Sequence, residues 1–196
     1  MKNKDTIWAK VDELFALYER FGDEDYIGEP ISQLEHASQA AEHALKGKHD
    51  DEVVLAAFFH DLGHLLPFLS DTSAESMGGY GVYQHEAIAA DYLQKMGFSN
   101  KMTTLVHLHV DAKRYLTFTH PIYYEKLSIA SKKTLFHQGG LMTSEEARNF
   151  EQNPYFDLIL KMRYFDELAK IPNHPLIDLE NLKKMAFQHL SEELSL

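Results

Sequence analysis

Cysteine is absent from this chain. Disulfides and thiol catalysis are thereby excluded, and a closed structural zinc site, usually built on thiolates, is not expected. Positive charge is short: 19 Lys and Arg stand against 30 Asp and Glu, a formal net charge of −11. Phosphate backbones are bound by clustered Lys and Arg, so nucleic acid is not an expected partner, although a few local bases could still hold a small anion. No apolar run approaches membrane-spanning length, and Met1-Lys2-Asn3-Lys4-Asp5 leads into an amphipathic helix with no apolar signal core. The expectation is a cytoplasmic protein without a membrane partner. Strand-like alternation, internal repeats and low-complexity segments are missing too, so the expected fold is all-α.

What is present is ordinary for a globular chain: 196 residues, 44% hydrophobic and 25% charged. That suffices for one domain, 1–196, with a core of usual size. Ile7, Val11, Leu14, Phe15, Leu17 and Tyr18 recur at helical spacing over 6–21. Phe21 to Pro30 reads as an acidic connecting loop, and Pro30 as the first turn of a helix to about Leu45. Asp50-Asp51 caps a helix over Val53–Phe59. Leu65 to Gly81 is irregular, with Pro67, Asp71-Thr72-Ser73 and glycines around Tyr80. Composition makes it a surface loop, although the glycines would also permit close backbone approach. Helices are expected from about Gln84 to Met96, stopped by Gly97, and from Ser99 or Asn100 to Tyr115. Further helices are expected over Ile122–His137, after the capping box Thr143-x-x-Glu146, from Pro154 to Ala169, and over Leu179–Leu194. His174 and His189 read as surface residues.

The chain is organised around Ala56-Ala57-Phe58-Phe59-His60-Asp61-Leu62-Gly63-His64, an apolar helical run ending in adjacent His and Asp. His64 follows His60 by one helical turn, so on a continued helix both face the same way. An adjacent His-Asp pair is common; the other candidates give it weight. His36 precedes His60 by 24 residues, His85 follows Asp61 by 24, His109 follows His85 by 24, and Asp166 lies 57 further on. Each falls in or beside a helical stretch, so these side chains could converge inside a bundle. Four imidazoles and two carboxylates suit iron or manganese. His107 lies two residues before His109, roughly opposite on a helix, so only one of them points inward. Lys113 shares the His109 face; alone it reads as a surface lysine, beside a metal site it points to a bound anion. Arg163 and Asp166, three apart, read alone as an intrahelical ion pair worth roughly a few tenths of a kcal/mol.

The set His36, His60-Asp61, His85, His109 and Asp166 resembles the dinuclear branch of the HD-domain superfamily. Within it, six segments are similar to the phosphonate-cleaving mixed-valent diiron oxygenases. They are Asp25-Tyr26-Ile27-Gly28-Glu29, Gln33-Leu34-Glu35-His36, Met77-Gly78-Gly79-Tyr80-Gly81-Val82, His109-x-x-x-Lys113-Arg114-Tyr115-Leu116, Ser131-x-Lys133-Thr134-Leu135 and Gln138-Gly139-Gly140. The resemblance implies one helical bundle with its metal-site core at about 25–170 and packing helices at either end. It implies a mixed-valent Fe(II)/Fe(III) pair bridged by Asp61, one iron on His36, His60 and Asp166 and the other on His85 and His109, with O2 as co-substrate. The implied substrate is a small organophosphonate. Oxidative C–P cleavage of 2-amino-1-hydroxyethylphosphonate would give phosphate and glycine, and of its trimethylammonio analogue, betaine. The implied catalytic residues are Tyr26, His64 and Lys113, with Tyr26 holding the oxygen position on the second iron until substrate arrives. The implied substrate contacts are Glu29, Gln33, His64, Lys113, Ser131 and Arg163, with Glu29 meeting the ammonium and the bases meeting the phosphonate. Tyr26, Phe68 and Tyr80 could instead face a quaternary ammonium. A monomer and a weak homodimer are both compatible with the sequence.

The same six ligands could serve an HD phosphohydrolase that activates water for attack on a nucleotide or another phosphomonoester. The loop motifs favour the oxygenase. A metal-binding sensor or degenerate interaction domain would lack a ligand, and all six are present.

Overall fold

The computed structural model describes residues 2–26, 28–69 and 75–194; Ile27 and Asp71-Thr72-Ser73 lie outside them. In chain order the α-helices are α1 (Lys2–Phe21), α2 (Gln33–Lys46), α3 (Asp51–Phe59), α4 (His85–Met96) and α5 (Asn100–Thr119). They continue as α6 (Pro121–Lys126), α7 (Ile129–His137), α8 (Ser144–Glu151), α9 (Phe156–Leu168) and α10 (Leu179–Glu193). Among the described residues there is no strand, only two isolated bridges, Asp25 with Ser32 and Ser76 with Val82. No described helix is long and apolar enough to cross a membrane.

The core is built around α3. Asp50 starts it by accepting the Val53 N–H, and every side chain from Val53 to Phe59 is buried. A helix that is apolar all round needs neighbours on every side; α2, α5, α9 and α10 supply them. Phe15 and Tyr18 of α1 pack on Phe58 and Phe59, and the Tyr18 hydroxyl donates to the Phe58 carbonyl at 3.1 Å. Each such aromatic contributes about 1.5–3 kcal/mol by burial.

Four boundaries differ from the sequence reading. Pro30 stays outside α2, because Ser32 and Glu35 close a capping box that starts the helix at Gln33. The stretch 122–137 is two helices: Leu127 is extended and Ser128 caps α7 afresh. The fifth helix runs on to Thr119, stopping short of Pro121. The ninth begins at Phe156 rather than Pro154, after a turn in which Asn153 Oδ1 accepts the Tyr155 N–H. His189 is buried, not exposed: its Nε2 accepts the Ser99 N–H at 3.1 Å and its ring stacks on Phe98. His174 stays at the periphery, paired with Glu42.

Candidate metal centre

Five segments bring six donors together. His36 comes from α2, His60 caps α3, Asp61 follows it, His85 opens α4, His109 lies mid-way along α5 and Asp166 sits in the last turn of α9. All six are buried. Adjacent His60 and Asp61 both reach the centre because α3 stops at Phe59, with His60 as its cap and Asp61 turned out of the helix at φ −101° and ψ 10°. Leu62–His64 is a 3-10 turn, so His64 does not continue the His60 face; its ring stacks on His85 at 4.1 Å. Gly63 makes this packing possible, since a Cβ there would collide with the backbone of His85.

The imidazoles are oriented alike. Nδ1 of His36, His60 and His109 lies 2.8, 2.8 and 2.7 Å from the carbonyls of Ala169, Ala57 and Val106, and His85 Nδ1 lies 3.3 Å from Val82 O. A carbonyl only accepts, so Nδ1 carries the proton and Nε2 presents a lone pair, the arrangement that orients metal-binding histidines. The lone pairs converge: His36 and His60 Nε2 are 3.1 Å apart, His85 and His109 Nε2 3.3 Å. Facing lone pairs repel unless a proton or cation lies between them.

Asp61 joins the two pairs. Its Oδ2 is 3.3 Å from His60 and 3.5 Å from His36, its Oδ1 3.1 Å from His85 and 3.5 Å from His109. Asp166 Oδ1 adds to the first pair, 3.6 Å from His36. Donor atoms within 4.8 Å of one another occur in His36–His60–Asp61, His60–His109–Asp166 and Asp61–His85–His109. Burial opposes ionisation of both carboxyls. It is overcome at Asp61 chiefly by His60 and at Asp166 by Arg163, so both stay well below the usual carboxylate range. Against burial, the Asp61 carboxylate in turn holds His60 up at about 9, so His60 carries the proton that a bound cation would replace. A buried, ionised, sulfur-free set of this kind fits metal cations that share Asp61.

The centre opens into a cavity of about 400 Å³. Lys113, Ser131 and Arg163 stand on its wall together with His64. Lys113 is buried and donates to Thr134 Oγ1 at 2.9 Å; burial, then the Arg163 charge, pull its ammonium down to about 7. Arg163 donates through Nε to Tyr123 and Glu167, at 2.8 and 3.0 Å, and through Nη1 to Asp166. Its Nη2 is buried without a hydrogen-bond partner among the described residues. The Arg163–Asp166 pair is the intrahelical ion pair its spacing suggested, and it is buried, joining the cavity wall to the candidate metal centre. His64 Nδ1 accepts the Val82 N–H at 3.0 Å, which leaves the proton on Nε2; burial, then His85, pull its pKa down to about 3 and keep it a neutral donor.

On the other side, Tyr26 stacks on His36 at 3.9 Å and its hydroxyl lies 3.5 Å from Asp166 Oδ1. It thus stands beside His36 and Asp166. Gln33 is buried and donates to the Asp25 carbonyl, tying the Tyr26 loop to α2. Glu29 lines the cavity but is engaged: Oε1 lies 2.8 Å from Lys170 Nζ. The 77–82 loop is at the surface with Gly78 and Gly79 exposed, as composition suggested, but it also walls the cavity and buries Met77 fully. His107 is exposed, as its spacing from His109 required.

Sequence reasoning quoted Thr134 and Gln138 in its motifs without giving them a role on the cavity wall, and it missed Lys170 there and Tyr123 and Glu167 behind Arg163. Thr134 carried a signal, three residues after Ser131 on the same helix face. Lys170 carried none.

No family model matches the chain. Three relatives align over most of its length. An uncharacterized protein of Acanthamoeba polyphaga mimivirus is 40% identical over 190 residues, covering 97% of this chain and 86% of the relative. The 1-hydroxy-2-(trimethylamino)ethyl phosphonate dioxygenase (glycine-betaine-forming) of Leisingera caerulea is 39% identical over 160 residues, 82% of this chain and 80% of the relative. The hydroxymethylphosphonate dioxygenase of Gimesia maris is 37% identical over 172 residues, 87% and 83%.

Proposed function

The chain belongs to the phosphonate dioxygenases, and on that premise we propose that it is a cytoplasmic HD-domain enzyme that cleaves the C–P bond of a small 1-hydroxyphosphonate with O2. Two iron ions, a mixed-valent Fe(II)/Fe(III) pair, would be held by His36, His60 and Asp166 and by His85 and His109, with Asp61 shared. Iron supplies the one-electron chemistry that lets O2 oxidise C1. In a 1-hydroxyphosphonate, oxidation of C1 to a carboxylate with release of phosphate yields four electrons, the number O2 accepts, so no further reductant is needed.

The residues of the chain bind and orient. Lys113 and Arg163 meet the phosphonate dianion, and Ser131 and the Nε2–H of His64 complete its shell. Lys113 takes up a proton as the dianion arrives. Arg163 holds Asp166 with Nη1 and offers Nη2 to substrate, so one guanidinium aligns substrate and centre. Tyr26 covers the centre between turnovers and must shift when substrate enters. An aminoethyl substrate would yield glycine, a trimethylammonio substrate betaine, and hydroxymethylphosphonate formate.

The observation that carries this reading is the unpartnered Nη2 of Arg163, buried beside Lys113 on the wall of a cavity floored by the metal ligands. Buried donors are nearly always satisfied, so one left open in a cavity is waiting for a ligand atom. The test is phosphate release from these 1-hydroxyphosphonates by iron-loaded protein, with and without oxygen. Release only in oxygen supports the reading; anaerobic release from a nucleotide monophosphate would make the site a phosphohydrolase.

A further inference from the structure

Resting on that C–P cleavage reading, we infer that the substrate carries no cationic tail, because Lys170 already pairs with Glu29, the carboxylate that would hold one, and Lys133 stands beside Tyr80 as a second cation.

A tail ammonium needs a carboxylate or an aromatic face. Glu29 is the half-buried carboxylate on the cavity wall outside the metal centre, and it lies 2.8 Å from Lys170 Nζ. The two side chains are only 15% and 20% exposed, so the pair is partly shielded from the water and salt that dissolve surface ion pairs. A second cation would meet a neutral pair and be repelled by the first. Tyr80 already has a cation beside it: Lys133 Nζ donates to its hydroxyl and stands at that edge of the ring, where it would repel a cationic tail lying on the face. The other cavity rings each give a face to the protein, Tyr26 to His36 and Phe68 to Phe21. Glu24, Asp25 and Glu75 also line the cavity, but they are exposed to solvent at its rim. The phosphonate end keeps open donors while the tail end has its charges satisfied internally. A hydroxymethyl or other uncharged substituent on C1 suits that pattern, and Lys170 is the residue that sets the preference.

The experiment compares kcat/KM of the iron-loaded chain for hydroxymethylphosphonate, 2-amino-1-hydroxyethylphosphonate and its trimethylammonio analogue, read as oxygen-dependent phosphate release. The wild type is expected to favour hydroxymethylphosphonate. Lys170→Met should shift the ratio toward the aminoethyl compound by several-fold to about tenfold, and Lys170→Arg, which keeps the charge, should retain the wild-type ratio. A wild type that prefers either cationic substrate overturns the inference without need of any variant, as does a ratio unmoved by Lys170→Met. Absence of oxygen-dependent phosphate from all three would instead overturn the C–P cleavage reading, and the inference with it.

Discussion

Oδ1 of Asp61 lies 3.1 Å from Nε2 of His85. The other oxygen of the same carboxylate faces His60 and His36. One side chain at the end of α3 thus joins donors from α2, α4 and α5, and it can do so only because the helix stops at Phe59.

Asp61→Asn should therefore empty the whole centre. The amide offers one neutral oxygen where two charged ones stood, so iron bound per chain falls close to zero. His36→Ala and His85→Ala should each reduce the content by about one ion, since each removes a ligand from one side only. Elemental analysis of purified variants reads this directly; equal losses in all three would show that the two sides are not separate.

Substrate binding should weaken as pH rises above neutrality. Lys113 falls from its ordinary 10.5 to about 7 through burial and Arg163, and bound iron would act in the same direction as Arg163. A dianion favours the ammonium, so binding above pH 7 takes up a proton, and KM rises by up to about tenfold per pH unit. Lys113→Met should raise KM at neutral pH and flatten that slope. The stability sign is opposite. Between pH 7 and 10.5 the unfolded chain holds a proton the folded one has lost, so this residue makes stability rise with pH there. A pH series of KM for both proteins is the check.

Arg163→Lys keeps a charge but loses the fork that reaches Asp166 and substrate together. KM should rise on the order of tenfold, the weight of a charge-assisted bond. Iron content measured on the same sample separates the two duties, because a fall in metal with unchanged KM would leave Arg163 holding Asp166 alone.

Gly63→Ala should cost about 1–3 kcal/mol of stability, since the new Cβ meets the backbone of His85 and not a flexible side chain. Denaturant unfolding measures the loss. Because His85 is displaced, metal affinity should drop with it.

The helical part of this molecule was legible because its signals are local. Apolar spacing marked α1, Asp50 marked the start of α3, and Gly97 marked the end of α4. The six candidate ligands were legible for a related reason: each sits on a helix or at its end, and the helices that carry them pack side by side in the bundle. Some misses were readable. The Ser32-x-x-Glu35 box was in plain view, and His189 shares a face with Leu182 and Ala186. Other features had no local trace. Glu29 and Lys170 are 141 residues apart in sequence, and no pattern announces that a lysine will fold back over a loop carboxylate. The resemblance implied a substrate ammonium for Glu29, and the Lys170 pair is what the fold adds to that expectation.

The most direct test of the whole account is the ratio of O2 consumed to phosphate released, measured on iron-loaded protein turning over a 1-hydroxyphosphonate with no added reductant. The account predicts one O2 per phosphate, with oxygen-18 from O2 appearing in the products. Phosphate released in the absence of oxygen, with label entering only from water, would contradict it and make the buried His and Asp cluster a hydrolytic centre.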